Sequence, residues 1–459
     1  MESGSIETHR SITKDRAMQA TVTAAGSATV HGADHSYILA TGFGTTVAMW
    51  AIGYVSRIPP AVVPSWLLLV FLLACTLGGG FIAGRSTGGG WRAGLWTGIV
   101  SAGLNLLVLG SLLTRNEPNR IVPSALWYIP GSIVIAAALG ALGGAAGSAR
   151  PRAAEPNWTG AFAKVAASAT FFLLIVGGFV TSERAGLSVV DWPNSFGYGM
   201  FLYPLSRMTG GIYYEHAHRL FGSLVGLTTL VLAIHIQRVE KDRRWLRGFA
   251  LAALGVVIVQ GLLGGLRVTG RFTMSDLPAD TAPKIGLAVV HGVVAQIFFA
   301  MIVAIGAFTT RTWKTGLAPT RARSASTDHA LSALLVGMLI IQIVLGAIQR
   351  HLSGGLLIHI TMAAFVLLVA ISSGARAWGL YGSQPVLRRL GRWVIYVIAA
   401  QVMLGIASLV VRGMMTPAGS PMAISVIVRT AHQATGAILL ACSVLLMLWS
   451  RRLLVASDE

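Results

Sequence analysis

The segment EHAHRLFGSLVGLTTLVLAIHI, residues 215–236, decides how this chain is read. Its later part has the composition of a membrane-spanning helix, and at its mouth stand two histidines, a glutamate and an arginine. Ionisable side chains are costly in lipid and mark functional positions there. Similar apolar runs recur along the chain, and about 20 residues suffice to cross a hydrocarbon core about 30 Å thick. Of 459 residues, 54% are hydrophobic and 11% charged. The runs are too long and too many for the buried helices of a soluble enzyme. The expectation is an all-α polytopic membrane protein of about 12 transmembrane helices. The spans fall near 37–55, 64–84, 93–113, 123–147, 162–182, 214–236, 247–266, 285–309, 330–349, 355–375, 393–411 and 424–449. The 54 glycines suit close helix packing in lipid.

The net charge of +19 does not point to nucleic acid, because Lys and Arg fall in short loops between the runs. RVEKDRRWLR (238–247), RTWKTGLAPTRAR (311–323) and RRLGR (388–392) place those loops, and both termini, in the cytoplasm. His218, His291, His359 and His432 then all lie near the outer ends of their helices. Cys75 and Cys442 sit inside apolar runs, which excludes a disulfide framework or a CxxC metal site. Residues 1–36 read as a disordered cytoplasmic arm without the apolar core of a signal peptide. SARPRAAEPNWTG (148–160) separates a four-span extension, 37–150, from the histidine-bearing spans. The Gly/Ala run LGALGGAAGSA (139–149) in that extension speaks of tight helix packing and no chemistry.

An internal repeat organises the rest. QGLLGG (260–265), QIVLGA (342–347) and QVMLGI (401–406) share Q-x-x-L-G, and LLIVGG (173–178) has the same shape without glutamine. Each precedes a helix bearing a histidine. Gly264 and Gly405, His218 and His359, and His291 and His432 are all 141 residues apart. Residues 160–310 and 328–450 therefore read as two copies of a four-helix bundle. The first copy carries 28 extra residues in an outer loop, TSERAGLSVVDWPNSFGYGMFLYPLSRMTGG (181–211). His218 is the repeat histidine, whereas His216 aligns with Leu357 and is an addition to the first copy.

Each copy thus offers two histidines at similar depth on its second and fourth helices. Two imidazoles from facing helices suit the axial positions of a haem iron, whereas zinc wants three or four donors. The alternative role for a lone histidine of this kind is interhelical hydrogen bonding. Arg219 and Arg429, beside His218 and His432, are candidates for pairing with haem propionates. Lys284 and Arg350 are better read as interfacial cations that snorkel. His235, His329 and His351 lack repeat partners and read as interfacial, and His9, His31 and His35 belong to the arm. Gln260, Gln342 and Gln401 read as interhelical hydrogen-bonding residues. Glu215 shares a helix face with His218. It could act as a general base or stabilise cationic charge, or be a first-turn residue favoured by the helix dipole. It aligns with Leu356 in the second copy. One half has the look of a cofactor holder, the other of a substrate half.

GGFVTSERAGLSVVDWP, EHAHRLFGSLVG, the repeated Q-x-x-L-G-G, VVHGVVAQ and RTAHQATGA together resemble the haem A synthase family over about 160–450. The resemblance implies oxidation of the C8 methyl of haem O to a formyl group by successive hydroxylations, supplying haem A to terminal oxidases. It implies haem b held by His359 and His432, and substrate haem O between His218 and His291. It also implies a catalytic part for Glu215. The partners implied are haem O synthase, terminal oxidase assembly and a membrane electron acceptor, in a bacterial cytoplasmic (inner) membrane. Some members carry a cysteine pair in the first long outer loop; this loop has none, and the four N-terminal spans are extra to the family's eight helices. The competing readings are a di-haem b-type cytochrome exchanging electrons with quinone, and a haem-handling transporter or chaperone.

Overall fold

The computed structural model describes residues 36–59, 62–114, 117–154, 156–269 and 283–457, so all but Ser36 of the expected arm lies outside the described residues. Twelve long helices run through them: α1 (Ser36–Val55), α2 (Ser65–Thr87), α3 (Gly90–Leu112), α4 (Ala125–Ser148), α5 (Trp158–Ser182) and α6 (Gly210–Val239). They continue with α7 (Arg244–Thr269), α8 (Pro283–Phe308), α9 (Ala325–Leu352), α10 (Leu356–Gly379), α11 (Pro385–Val410) and α12 (Ala423–Leu453). Eleven are long and apolar enough to cross a membrane. Helix α3 carries Thr97, Ser101 and Asn105 along one face. These side chains meet α1 in a hydrogen-bonded seam: Thr97 with Thr41 at 2.8 Å, Ser101 with Thr46 at 3.0 Å, and Trp50 Nε1 donating to Asn105 Oδ1 at 2.9 Å. Polar groups in lipid are tolerated when paired in this way between helices.

Helices α5 to α8 close a ring in which each packs on the next and α8 returns to α5; α9 to α12 close a second ring in the same order. The rings meet through α5 with α12, α8 with α9, and α8 with α12. Exchanging the two copies leaves that set of contacts unchanged, which is the mark of a pseudo-two-fold arrangement. The same ends of the two copies are also tied by side chains. Asn157 Nδ2 donates to the Thr309 carbonyl at 2.6 Å between α5 and α8, and His329 meets the Ser450 carbonyl at 3.0 Å between α9 and α12. His235 bonds Thr159 at 3.0 Å, while its repeat equivalent Arg376 pairs with Asp328 at 2.7 Å.

The two copies differ in the link between their first two helices. In the second, HLSGG turns sharply through left-handed Ser353 and Gly355, at φ 55° and 78°. In the first, residues 183–209 form a folded loop containing two short 3-10 turns, Met200–Leu202 and Leu205–Arg207.

The N-terminal helices dock on the first ring. Along α1, Phe43 meets Phe162 of α5, Trp50 meets Phe221 of α6, and Tyr54 stacks on Tyr213 with ring centres 5.4 Å apart. Behind α1, helices α2, α3 and α4 approach backbone to backbone: a Cβ on Gly140 would overlap the carbonyl of Gly94, and one on Gly80 the carbonyl of Gly140. The Gly/Ala run does pack tightly.

Candidate functional site: two histidine pairs and a loop beside one of them

His218 and His291 face each other across the first ring, their ring centres 6.2 Å apart and their planes at 77°. Two imidazoles on opposite sides of one metal, each nitrogen about 2 Å from it, have ring centres about 6 Å apart. In the second ring His359 stands close enough to His432 for the two to interact electrostatically. Among the described residues no cluster of three or more His, Cys, Asp or Glu could hold a metal. Two facing imidazoles without further donors fit axial haem ligation and not a closed zinc site.

The repeated sequence elements explain how these rings are held. Each imidazole lies over the repeat glycine of the preceding helix. A Cβ on Gly177 would come within 3.2 Å of His218 Nε2, and one on Gly264 within 3.5 Å of His291 Cε1. The corresponding approaches are 3.1 Å for Gly346 to His359 and 3.2 Å for Gly405 to His432. Glycine leaves the space in which the imidazole sits. The glutamine one turn earlier fixes the backbone: Gln260 Nε2 donates to the His291 carbonyl at 2.9 Å, and Gln342 Nε2 to that of His359 at 3.0 Å. Gln401 instead lies against Gly436, one turn beyond His432.

The first pair has a carboxylate and a folded loop beside it. Glu215 is 4% exposed; its Oε2 accepts from the Val189 amide at 2.9 Å and its Oε1 from Arg219 at 3.0 Å. Arg219 also donates to the carbonyls of Val189 at 2.7 Å, Asp191 at 2.6 Å and Asn194 at 3.0 Å. Its guanidinium is committed to the α5–α6 loop, because irregular backbone next to a membrane helix must satisfy its carbonyls within the protein. His216 is fully buried, bonded through Nδ1 to Ser195 Oγ at 3.1 Å, with its ring tilted against that of Tyr203 at 4.9 Å between centres. It too holds the loop. Trp192 packs onto Gly265 of α7, directly after the glycine beneath His291. At the loop's start, burial raises the Glu183 carboxyl above the ordinary range against a hydrogen bond from Tyr214 that lowers it.

A cation the sequence reading passed over stands beside this pair. Arg267, in the last turn of α7, packs on Gly186 and acts electrostatically on Glu215, His218, His291 and His351. Its Nε is buried without a hydrogen-bond partner among the described residues. Nothing in the sequence near Arg267 distinguishes it from an interfacial cation. Beside the second pair, Arg350 does not snorkel outward as expected: it donates to Ser182 Oγ at 2.8 Å across the seam between the rings. Arg184 and Arg429 lie within its electrostatic reach. The side chain of Lys284 is outside the described residues.

Residues 160–360 match the COX15-CtaA family model of cytochrome oxidase assembly proteins. This segment runs from α5 to the first turn of α10. It holds His218, His291, His359, Glu215 and the α5–α6 loop, and His432 lies beyond it. That segment is thus similar to cytochrome oxidase assembly proteins. No curated protein matches the chain.

Proposed function

We propose that the protein is a haem A synthase that oxidises the C8 methyl of haem O to a formyl group by successive hydroxylations. The observation that carries this reading is the asymmetry between two otherwise repeat-equivalent histidine pairs. His359 and His432, with a short turn beside them, would hold haem b as resident cofactor. His218 and His291, with Glu215, Arg267 and the added loop beside them, would receive haem O as substrate. Arg429, with Arg184 and Arg350, supplies positive charge for the propionates of the first of these haems, and Arg267 for those of the second.

When bound, haem b supplies one-electron redox chemistry at its iron. The chain's own residues do the rest. The glycines seat the imidazoles flat, and the glutamines fix the backbone of two of them. Glu215, tied by the Val189 amide and Arg219, is held on the face of α6 that carries His218. There it can accept a proton or stabilise cationic charge as the methyl is oxidised. A bacterial cytoplasmic membrane, with the histidine ends of the helices outward, fits the distribution of Lys and Arg. Haem O synthase, a terminal oxidase under assembly and a membrane electron acceptor are the partners this chemistry requires.

The test is to produce the protein alongside a source of haem O, purify it, and chromatograph the extracted haems with mass detection. Haem A or a hydroxylated haem O is expected. Haem B alone, with haem O available, would instead support a di-haem cytochrome.

A further inference from the structure

We infer that the four N-terminal helices are a built-in clamp for the α5–α6 loop, acting through the α3–α4 connection to hold that loop against the first histidine pair. The inference goes beyond the synthase reading and rests on it only for what the pair binds.

The hydrogen bonds run continuously from the extension to Glu215. Asn119, in the α3–α4 connection and left-handed at φ 61°, accepts the Gly199 amide on Oδ1 at 2.6 Å and donates from Nδ2 to the Gly197 carbonyl at 3.4 Å. Ser111 Oγ, at the end of α3, donates to the Phe201 carbonyl at 3.1 Å, and a Cβ on Gly110 would stand 2.6 Å from the same oxygen. The segment so gripped is joined to the next by Asp191, whose carboxylate accepts the amides of Phe196 at 2.7 Å and Gly197 at 2.9 Å. The backbone of Val189, Asp191 and Asn194 then engages Glu215 and Arg219 as described above. A second tie comes from α1, where Tyr213, two residues before Glu215, donates its hydroxyl to the Tyr54 carbonyl at 2.6 Å.

The physical logic is entropic. A loop of this length has little regular structure of its own, so its position must be fixed by contacts made from outside. The rings supply them at one end through α6 and α7. The extension supplies them at the other, around residues 197–201. The second copy has a five-residue turn in the same place and nothing there for a clamp to hold.

Asn119→Ala removes the solvent-facing grip without touching any helix core, Asn119→Asp keeps the acceptor for Gly199, and Gly110→Ala intrudes on Phe201 from the α3 side. Hydrogen exchange of the full-length chain in detergent micelles should become several-fold faster over residues 189–203 in Asn119→Ala and in Gly110→Ala. Exchange over 356–379 should be unchanged, and Asn119→Asp should restore most of the protection. Unchanged exchange over 189–203 in both disruptive variants overturns the clamp. This measurement needs no haem, so it stands or fails apart from the synthase reading. In haem-loaded protein, the haem that His218→Ala abolishes should pass to apomyoglobin several-fold faster from Asn119→Ala, while the haem dependent on His359 leaves at the wild-type rate. Equal rates for both would show that the clamped loop does not govern the site, and would likewise overturn the inference.

Discussion

The carboxylate of Glu215 is anchored on both oxygens, so its substitution separates chemistry from folding if done conservatively. Glu215→Gln keeps an acceptor for Val189 and is expected to retain the haem held by His359 and His432 while losing most haem A formation, by chromatography of extracted haems. Full turnover in that variant would remove Glu215 from the chemistry. His359→Ala and His432→Ala should each lose the tightly bound haem b, read as the haem-to-protein ratio. At this scale much of the candidate site is visible in the sequence, because four histidines at matched offsets need no coordinates to be paired. Arg219 and Arg267 show where that stops. The partners of Arg219 are carbonyls of an irregular loop, and backbone acceptors leave no trace in residue identity. The position of Arg267 matters only because Gly186 and Glu215 are brought to it from elsewhere in the chain.

For the helices, the repeat motif is a seat as much as a packing device. The Q-x-x-L-G pattern announces its recurrence in the sequence, but not that its glycine lies beneath the imidazole of the following helix. Gly346→Leu places side-chain atoms where the His359 ring stands. It should lose the same haem that His359→Ala loses while leaving the first pair intact, by optical spectra of the purified variants. Charge at the other end of the rings follows a different logic. Glu240, just past α6, bonds Lys314 at 2.6 Å and Arg243 at 3.0 Å, tying the α6–α7 turn to the α8–α9 connection. Burial would raise its carboxyl, but the hydrogen bonds from Lys314 and Arg243 outweigh that and hold it below the ordinary range. A carboxylate depressed on folding adds stability above its unfolded pKa, of about 4.3, and loses it as pH falls through the folded value. Glu240→Gln should therefore lower the thermal midpoint at neutral pH, with the gap to wild type closing as the medium is acidified below that range.

Over the whole molecule, the two rings and their long loop were readable because repetition and hydropathy are properties of the chain alone. How the extension meets the rings was not, since Asn119 and Ser111 are ordinary polar residues until the loop arrives beside them. The extension's own integrity depends on bare backbone contact. Gly140→Val, which forces a side chain into the Gly94 and Gly98 backbones, should cost about 1–3 kcal/mol as an overpacking change. It should also accelerate exchange over α2 to α4 before it affects either histidine pair. The hydroxyl and amide seam between α1 and α3 bears on how the chain is made. The groups that satisfy Thr97, Ser101 and Asn105 belong to α1, a helix that leaves the ribosome earlier. α1 thus offers α3 its polar partners as soon as α3 emerges, and the two should leave the translocon together. A chain lacking α1 would leave Thr97, Ser101 and Asn105 of α3 without the partners that satisfy them between helices.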